Sequence, residues 1–219
     1  MKAIWRFVSV FLLTGLFCQS HAMIEPGKAA PGFRLQSLDG QTITLEQFKG
    51  SWVVLEWTNP DCPFVQKHYN AENMQTLQEF ATSKKHIWLQ INSTHPGHPE
   101  FRNANAMKAW NTEQQARPSY GLLDPQGIVG RAYGAKTTPQ MVLINPAGTI
   151  IYHGAIDSIR SASPGDIPKA IPFLRQAIEE SAAGKPVTNP SSVPYGCSVK
   201  YVSNSTVSTS ISLVGQTSS

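Results

Sequence analysis

The sequence is poor in cysteine and has no strongly basic or acidic stretch. Its 219 residues include three cysteines, and the net charge of +4 falls to about +2 without Lys2 and Arg6. So weak a charge does not indicate binding to nucleic acid or to an anionic membrane, and no basic run with interleaved aromatic residues is present. With 41% apolar and 15% charged residues, the composition predicts one globular domain with extensions.

The N-terminal residues lack an apolar run long enough for a transmembrane helix, which needs about 20 residues. Lys2 and Arg6 precede a shorter apolar stretch, Phe7–Phe17, and the segment Ser20–Ala22 has the small-x-small pattern of a cleavage site. This arrangement predicts a signal peptide over residues 1–22, secretion across the inner membrane and a periplasmic location. An uncleaved segment that anchors the protein to the membrane is the alternative.

Removal of the signal peptide would leave two thiols, Cys62 and Cys197. An even number of cysteines in an oxidising compartment suggests a disulfide. The two residues are 135 positions apart. A bond between them would close a long loop, and the chain-entropy model gives it roughly 5 kcal/mol of stabilisation. The sequence leaves open whether that bond is structural, transient or absent.

The stretch from Trp52 to Tyr69 has the pattern of a strand, a turn and a helix start. Residues 52–57 are an apolar run typical of a buried strand, and residues 58–61 contain turn formers. Pro63 suits the first helical position, which places Cys62 at or beside the N-cap. Free backbone N–H groups and the helix dipole favour a thiolate there, while the neighbouring Asp61 opposes it. We therefore expect a moderately activated thiol rather than an inert core residue.

Strand and helix signals alternate through the rest of the chain. Strands are predicted at 33–38, 42–45, 52–57, 86–92, 120–123, 139–145 and 149–154, and helices at 63–83, 100–116, 125–133 and 166–183. Crossovers together with a hairpin predict a mixed α/β sheet flanked by helices. The Pro- and Ser-rich residues 185–201 are predicted to be a flexible linker and a cysteine-containing tail, and residues 202–219 a disordered tail.

Three segments resemble one known family. Cys62–His68 after a strand, the segment Ala30–Leu35 and the tail Gly196–Tyr201 are similar to the peroxiredoxin-like branch of the thioredoxin superfamily, also called the redoxin or AhpC/TSA type. The resemblance implies a thioredoxin-like fold for residues 23–184, with an extended C-terminal tail. Val65 stands where the second cysteine of a Cys-x-x-Cys motif would be, so Cys62 is the single cysteine of the motif.

The same resemblance implies a substrate site beside Cys62. In this superfamily the bond corresponding to Thr138-Pro139 is cis, and its loop packs against the reactive thiol. An extended substrate can then pair with the backbone of Thr138 while its disulfide meets Cys62. Substrate contacts are predicted for Trp57, Asn59, Pro63, Thr138 and Pro139.

Three functions follow from this pattern. In a thiol-disulfide oxidoreductase, the thiolate of Cys62 attacks a substrate disulfide, and either Cys197 or an external thiol resolves the mixed disulfide. In a thiol peroxidase, a hydroperoxide oxidises Cys62 and Cys197 resolves the sulfenic acid. A structural or idle role for Cys197 is equally open. A non-catalytic binding module, such as a chaperone or metal carrier, is the third.

Sequence departures disfavour the second and third functions. Leu55 and Asn59 stand where peroxiredoxins carry Pro and Thr, and Thr138-Pro139 replaces an Arg; a metal carrier would need a second nearby cysteine. His95 and His98 lack a completing ligand, so no metal and no cofactor is expected. The expected partners are protein thiols and disulfides, or a hydroperoxide, together with an external thiol reductant.

Overall fold

The computed structural model of the chain describes residues 24–202. The predicted signal peptide (residues 1–22) lies outside this range, as does nearly all of the predicted disordered tail. Within residues 24–202, no helix is both long and apolar enough to cross a membrane.

A seven-stranded mixed sheet forms the centre of the molecule. The described residues contain nine strands, seven of which form this sheet: β1 (Arg34–Ser37), β2 (Thr42–Thr44), β3 (Val53–Trp57), β4 (Ile87–Asn92), β5 (Tyr120–Leu123), β6 (Thr137–Thr138), β7 (Gln140–Ile144), β8 (Ile150–Gly154) and β9 (Cys197–Ser198). The sheet order is β2-β1-β5-β4-β3-β7-β8, and β6 pairs separately with β9. β4 is parallel to β3 and β5, whereas β7 is antiparallel to β3 and β8. The predicted mixed sheet of a thioredoxin-like fold is thus confirmed.

Five α-helices cover the sheet: α1 (Pro63–Asn70), α2 (Asn73–Ser83), α3 (Ala104–Glu113), α4 (Ile128–Ala132) and α5 (Phe173–Ala182). All five residues of β3 are buried, since helices or loops cover both of its faces. One apolar cluster contains Leu55 and Trp57, and the other contains Val54, Cys62 and the inner faces of α1, α2 and α5. Cys62 therefore belongs to a packed layer beside the middle of the sheet.

The prediction of one helix over residues 63–83 is wrong. The chain breaks between α1 and α2, where Glu72 has a left-handed backbone with φ of 55°. The side-chain amide of Gln75 donates a hydrogen bond of 2.9 Å to the carbonyl of Tyr69. In a continuous helix this carbonyl would accept from the backbone N–H four residues later. No glycine or proline marks this break in the sequence, so the periodic pattern hides it.

The helix predicted over residues 166–183 is also shorter than expected. Residues Pro164–Lys169 form a 3₁₀ helix, and α5 begins only after Pro172. A proline has no backbone N–H, and its ring clashes with the preceding turn of a helix. Pro168 and Pro172 therefore explain why the long helix does not form.

Residues 190–202, which we call the tail strap, are docked on the domain rather than free. The N–H of His153 donates to the carbonyl of Pro190 at 3.1 Å, and the N–H of Val199 donates to the carbonyl of Lys136 at 3.0 Å. The hydroxyl of Tyr201 donates to the carbonyl of Ala135 at 2.8 Å. A flexible linker was predicted here because the composition is rich in Pro and Ser. Backbone pairing with the domain, which composition does not reveal, holds the segment instead.

Candidate functional site

Cys62 is the N-cap residue of α1, as predicted. Its backbone is extended, with φ of −85° and ψ of 118°, and Pro63 occupies the first turn. The N–H groups of Val65 and Gln66 both donate to the carbonyl of Cys62 at 2.9 Å. The sulfur is at the positive end of the helix and is 0% exposed. A thiol is thus held at a helix start but shielded from solvent.

The Thr138-Pro139 peptide bond is cis, as the resemblance implied. Sγ of Cys62 donates a hydrogen bond of 3.1 Å to the carbonyl of Thr138, so the loop contacts the thiol directly. Thr138 forms β6, and its partner in the antiparallel pair with β9 is Cys197. The chain's own tail therefore pairs where an extended substrate was expected to pair.

Gly196 allows this close approach. Its φ is +136°, a backbone conformation that residues with a side chain rarely adopt. A Cβ atom at this position would lie 1.9 Å from the carbonyl oxygen of Thr138. Glycine is consequently required directly before Cys197.

Cys197 lies beside Cys62, because Thr138 both pairs with Cys197 and accepts the hydrogen bond from Sγ of Cys62. Both cysteines are free thiols, and Cys197 packs against the cluster that contains Cys62. Burial raises the pKa of Cys197 to about 12, and a hydrogen bond with the Cys62 side chain and the charge on that side chain act in the same direction. Lys200 opposes the rise and Glu100 adds to it. Cys197 therefore favours the protonated form.

Charged side chains surround the thiol pair. Arg102 donates two hydrogen bonds, of 2.7 and 2.8 Å, to the carboxylate of Asp61. The Asn59 amide donates to Glu100 at 2.6 Å, and Nζ of Lys200 lies 3.8 Å from the same carboxylate. Arg102 offsets the charge of Asp61, for which the sequence alone indicates no partner. Arg102 and Asp61 are 41 positions apart, and no local pattern links them.

A buried carboxyl group, Glu56, lies on β3. It is not among the site residues predicted from the sequence. It accepts hydrogen bonds from the Tyr69 hydroxyl at 2.7 Å, the Trp88 indole at 2.7 Å and the Gln78 amide at 3.2 Å. Burial raises the pKa of Glu56, although these hydrogen bonds act to lower it. A charged residue inside an apolar strand was the sequence signal for this group.

A second buried polar cluster anchors the tail strap. Nζ of Lys67 and Nε2 of His68 lie 3.4 and 3.7 Å from the carboxylate of Asp157, and the Tyr195 hydroxyl donates to the same carboxylate. Burial lowers the pKa of His68 to about 4, with Asp157 opposing the change and Lys67 adding to it. The Tyr195 anchor lies two residues before Cys197, so this cluster positions the second thiol.

The residues predicted to contact substrate differ in their exposure and in the face of the sheet on which they lie. Pro63 is exposed, while Asn59, Thr138 and Pro139 are buried around the thiols. Trp57 is 0% exposed, packs on Tyr133 and donates its indole N–H to Ser93 at 3.2 Å. It faces the other apolar cluster, because alternate residues of a strand point to opposite faces. Trp57 therefore lies in the core on the face of the sheet opposite the cluster that contains Cys62, and a substrate contact for it stays a prediction.

The described residues hold no group of three side chains that could ligate a metal ion. His95 and His98 lie on one loop with ring centroids 5.9 Å apart. The His95 ring accepts from the N–H of Gly97, and the His98 ring accepts from the N–H of Glu100. The two rings therefore accept backbone hydrogen bonds within the turns that lead to Glu100.

Comparison with known proteins finds relatives that are named thiol-disulfide oxidoreductases. Thiol-disulfide oxidoreductase ResA of Halalkalibacterium halodurans is 26% identical over 140 residues, which cover 62% of this chain and 71% of the relative. The same-named protein of Bacillus thuringiensis is 26% identical over 144 residues, covering 66% of this chain and 77% of the relative.

Two solved structures share the fold over most of the chain. An uncharacterized conserved protein from Geobacillus kaustophilus is 27% identical with a TM-score of 0.71, covering 83% of this chain and 94% of its own. A hypothetical protein from Sinorhizobium meliloti is 25% identical with a TM-score of 0.72, covering 83% and 97%. Residues 26–153, more than half of the sequence, match the AhpC/TSA family. The chain therefore belongs to the AhpC/TSA family, with a thioredoxin-like fold.

Proposed function

We propose that the chain is a thiol-disulfide oxidoreductase whose redox centre is the pair Cys62 and Cys197. The observation that carries this proposal is the position of Cys197, which pairs with Thr138, while the carbonyl of Thr138 accepts a hydrogen bond from Sγ of Cys62. Cys62 itself lies at a helix start beside a cis Thr138-Pro139 bond. The relatives named thiol-disulfide oxidoreductase support the reaction class. A second thiol in contact with the first can resolve a mixed disulfide without an external thiol.

The overall reaction transfers two electrons. Two protein thiols become one Cys62–Cys197 disulfide, while a substrate disulfide becomes two thiols and takes up the two protons. In the reverse direction an external dithiol, or two thiols, reduces the protein disulfide. The proposed substrates are protein disulfides, and the proposed reductant is an external thiol. We place this cycle outside the cytoplasm, where disulfides persist, in keeping with the predicted signal peptide.

The surroundings of Cys62 favour this reaction over peroxide reduction. A fast peroxidase needs hydrogen-bond donors that polarise the O–O bond beside the thiolate. Here Leu55 is buried in the opposite apolar cluster, and the Asn59 side chain is engaged by Glu100 and by the N–H of Asp61. The Arg102 guanidinium is bound to Asp61.

Two assays with matched variants test the proposal. Insulin-disulfide reduction and peroxide consumption are measured for the wild-type protein and for Cys62→Ser, with differential alkylation to quantify the Cys62–Cys197 bond. We expect Cys62→Ser to lower the rate of insulin reduction by about a hundredfold or more, and wild-type peroxide consumption to be slow. Retention of insulin reduction in Cys62→Ser, or failure of the two cysteines to pair on oxidation, would contradict the proposal.

A further inference from the structure

The two cysteine residues differ in their exposure to solvent. Cys62 is 0% exposed, whereas Cys197 is half-buried and keeps part of its surface at the protein boundary. The difference arises because β9 covers Cys62, with Cys197 paired to Thr138 and Gly196 against the Thr138 carbonyl. A molecule that approaches the redox centre from solvent therefore meets Cys197 first.

The cover is held from both sides. Before Cys197, the Tyr195 hydroxyl binds Asp157, and the Tyr195 ring packs edge-on against Phe64 of α1 at 5.8 Å. After Cys197, Val199 binds the backbone of Lys136, and the Tyr201 ring lies 4.4 Å from the Arg131 guanidinium. Since both flanks are anchored, the β6 edge is occupied by the tail strap rather than open to an external strand.

We propose that external thiols reduce the Cys62–Cys197 disulfide by attack on the sulfur of Cys197 and not on that of Cys62. This inference rests on the proposed function and assigns the point at which its reductant enters. The sequence alone does not indicate which of the two sulfurs an external thiol meets.

The reductive half of the cycle then has a definite order. An external thiolate attacks Sγ of Cys197 in the Cys62–Cys197 disulfide. A bond forms between these two sulfurs, the internal S–S bond breaks, and its electron pair leaves with Cys62, which takes up the proton that the first external thiol gave up. A second external thiolate attacks the external sulfur of this mixed disulfide and releases Cys197, which takes up a proton. Two external thiols are oxidised to one disulfide, and the protein disulfide becomes two thiols.

The arrangement of the two sulfurs favours this order. In thiol exchange the attacking sulfur and the leaving sulfur lie on opposite sides of the sulfur under attack. Attack on the half-buried Cys197 therefore makes the fully buried Cys62 the leaving group. The start of α1 receives the anion of Cys62.

The site of attack can be mapped directly. The oxidised full-length protein is mixed with glutathione, quenched with acid at a series of short times, alkylated and digested, and the glutathione adduct on each cysteine is quantified by mass spectrometry. Extrapolation to zero time removes any later migration between the two sulfurs. We expect at least about a tenfold excess of adduct on Cys197, with Cys62 alkylated.

The outcomes separate this inference from the proposed function. An equal distribution, or an excess on Cys62, would overturn the order proposed for the two sulfurs while the redox pair stands. A Cys62–Cys197 bond that glutathione cannot open at any concentration would overturn both.

A second measurement tests the cover itself. In a Cys197→Ser background, Gly196→Ala introduces a Cβ that would lie 1.9 Å from the Thr138 carbonyl, so the strap must lift. Gly165→Ala is the matched control, since Gly165 is exposed and an added Cβ meets its nearest atom at 3.7 Å. We expect iodoacetamide to modify Cys62 at least about tenfold faster in the Gly196→Ala protein than in the control. Equal rates, with the fold verified by circular dichroism, would show that the strap does not shield Cys62.

Discussion

Two buried ionisable residues, Glu56 and His68, lie on either side of Cys62 along the chain. Burial raises the pKa of Glu56 and lowers the pKa of His68 to about 4, so both sites favour the neutral form. Lys67 and Asp157 are also buried, but they lie 3.4 Å apart and have opposite charges. The interior around the thiols thus accepts charge where a partner of opposite sign is present.

The lowered pKa of His68 predicts acid sensitivity. The unfolded chain takes up a proton near pH 6.5, whereas the folded chain does so only near pH 4. Stability is therefore complete above about pH 6.5 and falls as the pH drops towards 4, by up to about 3 kcal/mol. We expect His68→Gln to show a flatter loss over this window in urea denaturation.

The raised pKa of Glu56 has the opposite effect on the pH dependence of stability. The folded state favours the neutral carboxyl, so the stability that Glu56 contributes is lost as the pH rises. Only the difference between wild type and His68→Gln therefore isolates the histidine. His95→Gln, on an outer loop, is the control and should follow the wild-type curve. Parallel curves for wild type and His68→Gln would refute the prediction.

The sequence predicted those residues of the site whose positions follow from local chain order. Cys62 follows a strand and precedes Pro63, which places it at a helix start. The cis Thr138-Pro139 bond does not follow from local order; the family resemblance implied it. Arg102 and Asp157 lie 41 and 90 positions from their partners Asp61 and Lys67. Such pairs form only when distant elements pack, so neither periodicity nor spacing reveals them.

At the scale of elements, the strands were easier to predict than the helices. Buried apolar runs locate β3, β4 and β7 within one or two residues, because few other structures bury both faces of so short a segment. Helix ends depend on side-chain contacts as well as on periodicity. Gln75, which binds the Tyr69 carbonyl at the break between α1 and α2, is one such contact.

The start of α3 provides a test of such a contact. The Asn103 side chain accepts a hydrogen bond of 3.0 Å from the N–H of Ala106 and caps the helix that follows Arg102. We expect Asn103→Ala to lower the free energy of unfolding by about 1 kcal/mol. Asn105→Ala, an exposed position inside α3, should instead be neutral or slightly stabilising, because alanine has the higher helix propensity. Chemical denaturation at pH 7 measures both, and equal effects of the two substitutions would argue against the cap.

At the scale of the whole molecule, the tail strap ties the end of the chain to the middle of the fold. Tyr201 packs against Gly127 and Gly130, where an added Cβ would lie 2.3 Å from the ring or its hydroxyl. Small residues in and beside α4 thus make room for a side chain near the end of the described chain. Amino-acid composition does not reveal this packing of Tyr201 against two distant glycines, and the composition of the segment predicted a flexible linker instead.

Oxidation is expected to stabilise the whole protein. A Cys62–Cys197 bond restricts the unfolded chain over 135 positions. The strap is already docked in the dithiol form, so bond formation needs little rearrangement. The chain-entropy model sets the gain in the free energy of unfolding at roughly 5 kcal/mol.

Guanidinium denaturation with and without a phosphine reductant measures this gain. Cys197→Ser is the control and should be insensitive to the reductant. An oxidised wild-type protein no more stable than the reduced one would mean that closing the bond displaces the strap.

The segment that matches the AhpC/TSA family, residues 26–153, contains Cys62 but not Cys197. The second sulfur reaches the first only because residues beyond that segment fold back over it. In this chain the matched segment therefore holds one reducing equivalent at this place, and β9 supplies the other. A version of this protein that ends before Gly196 would keep Cys62 at the start of α1, but under the proposed function it would need a thiol from another molecule in each turnover.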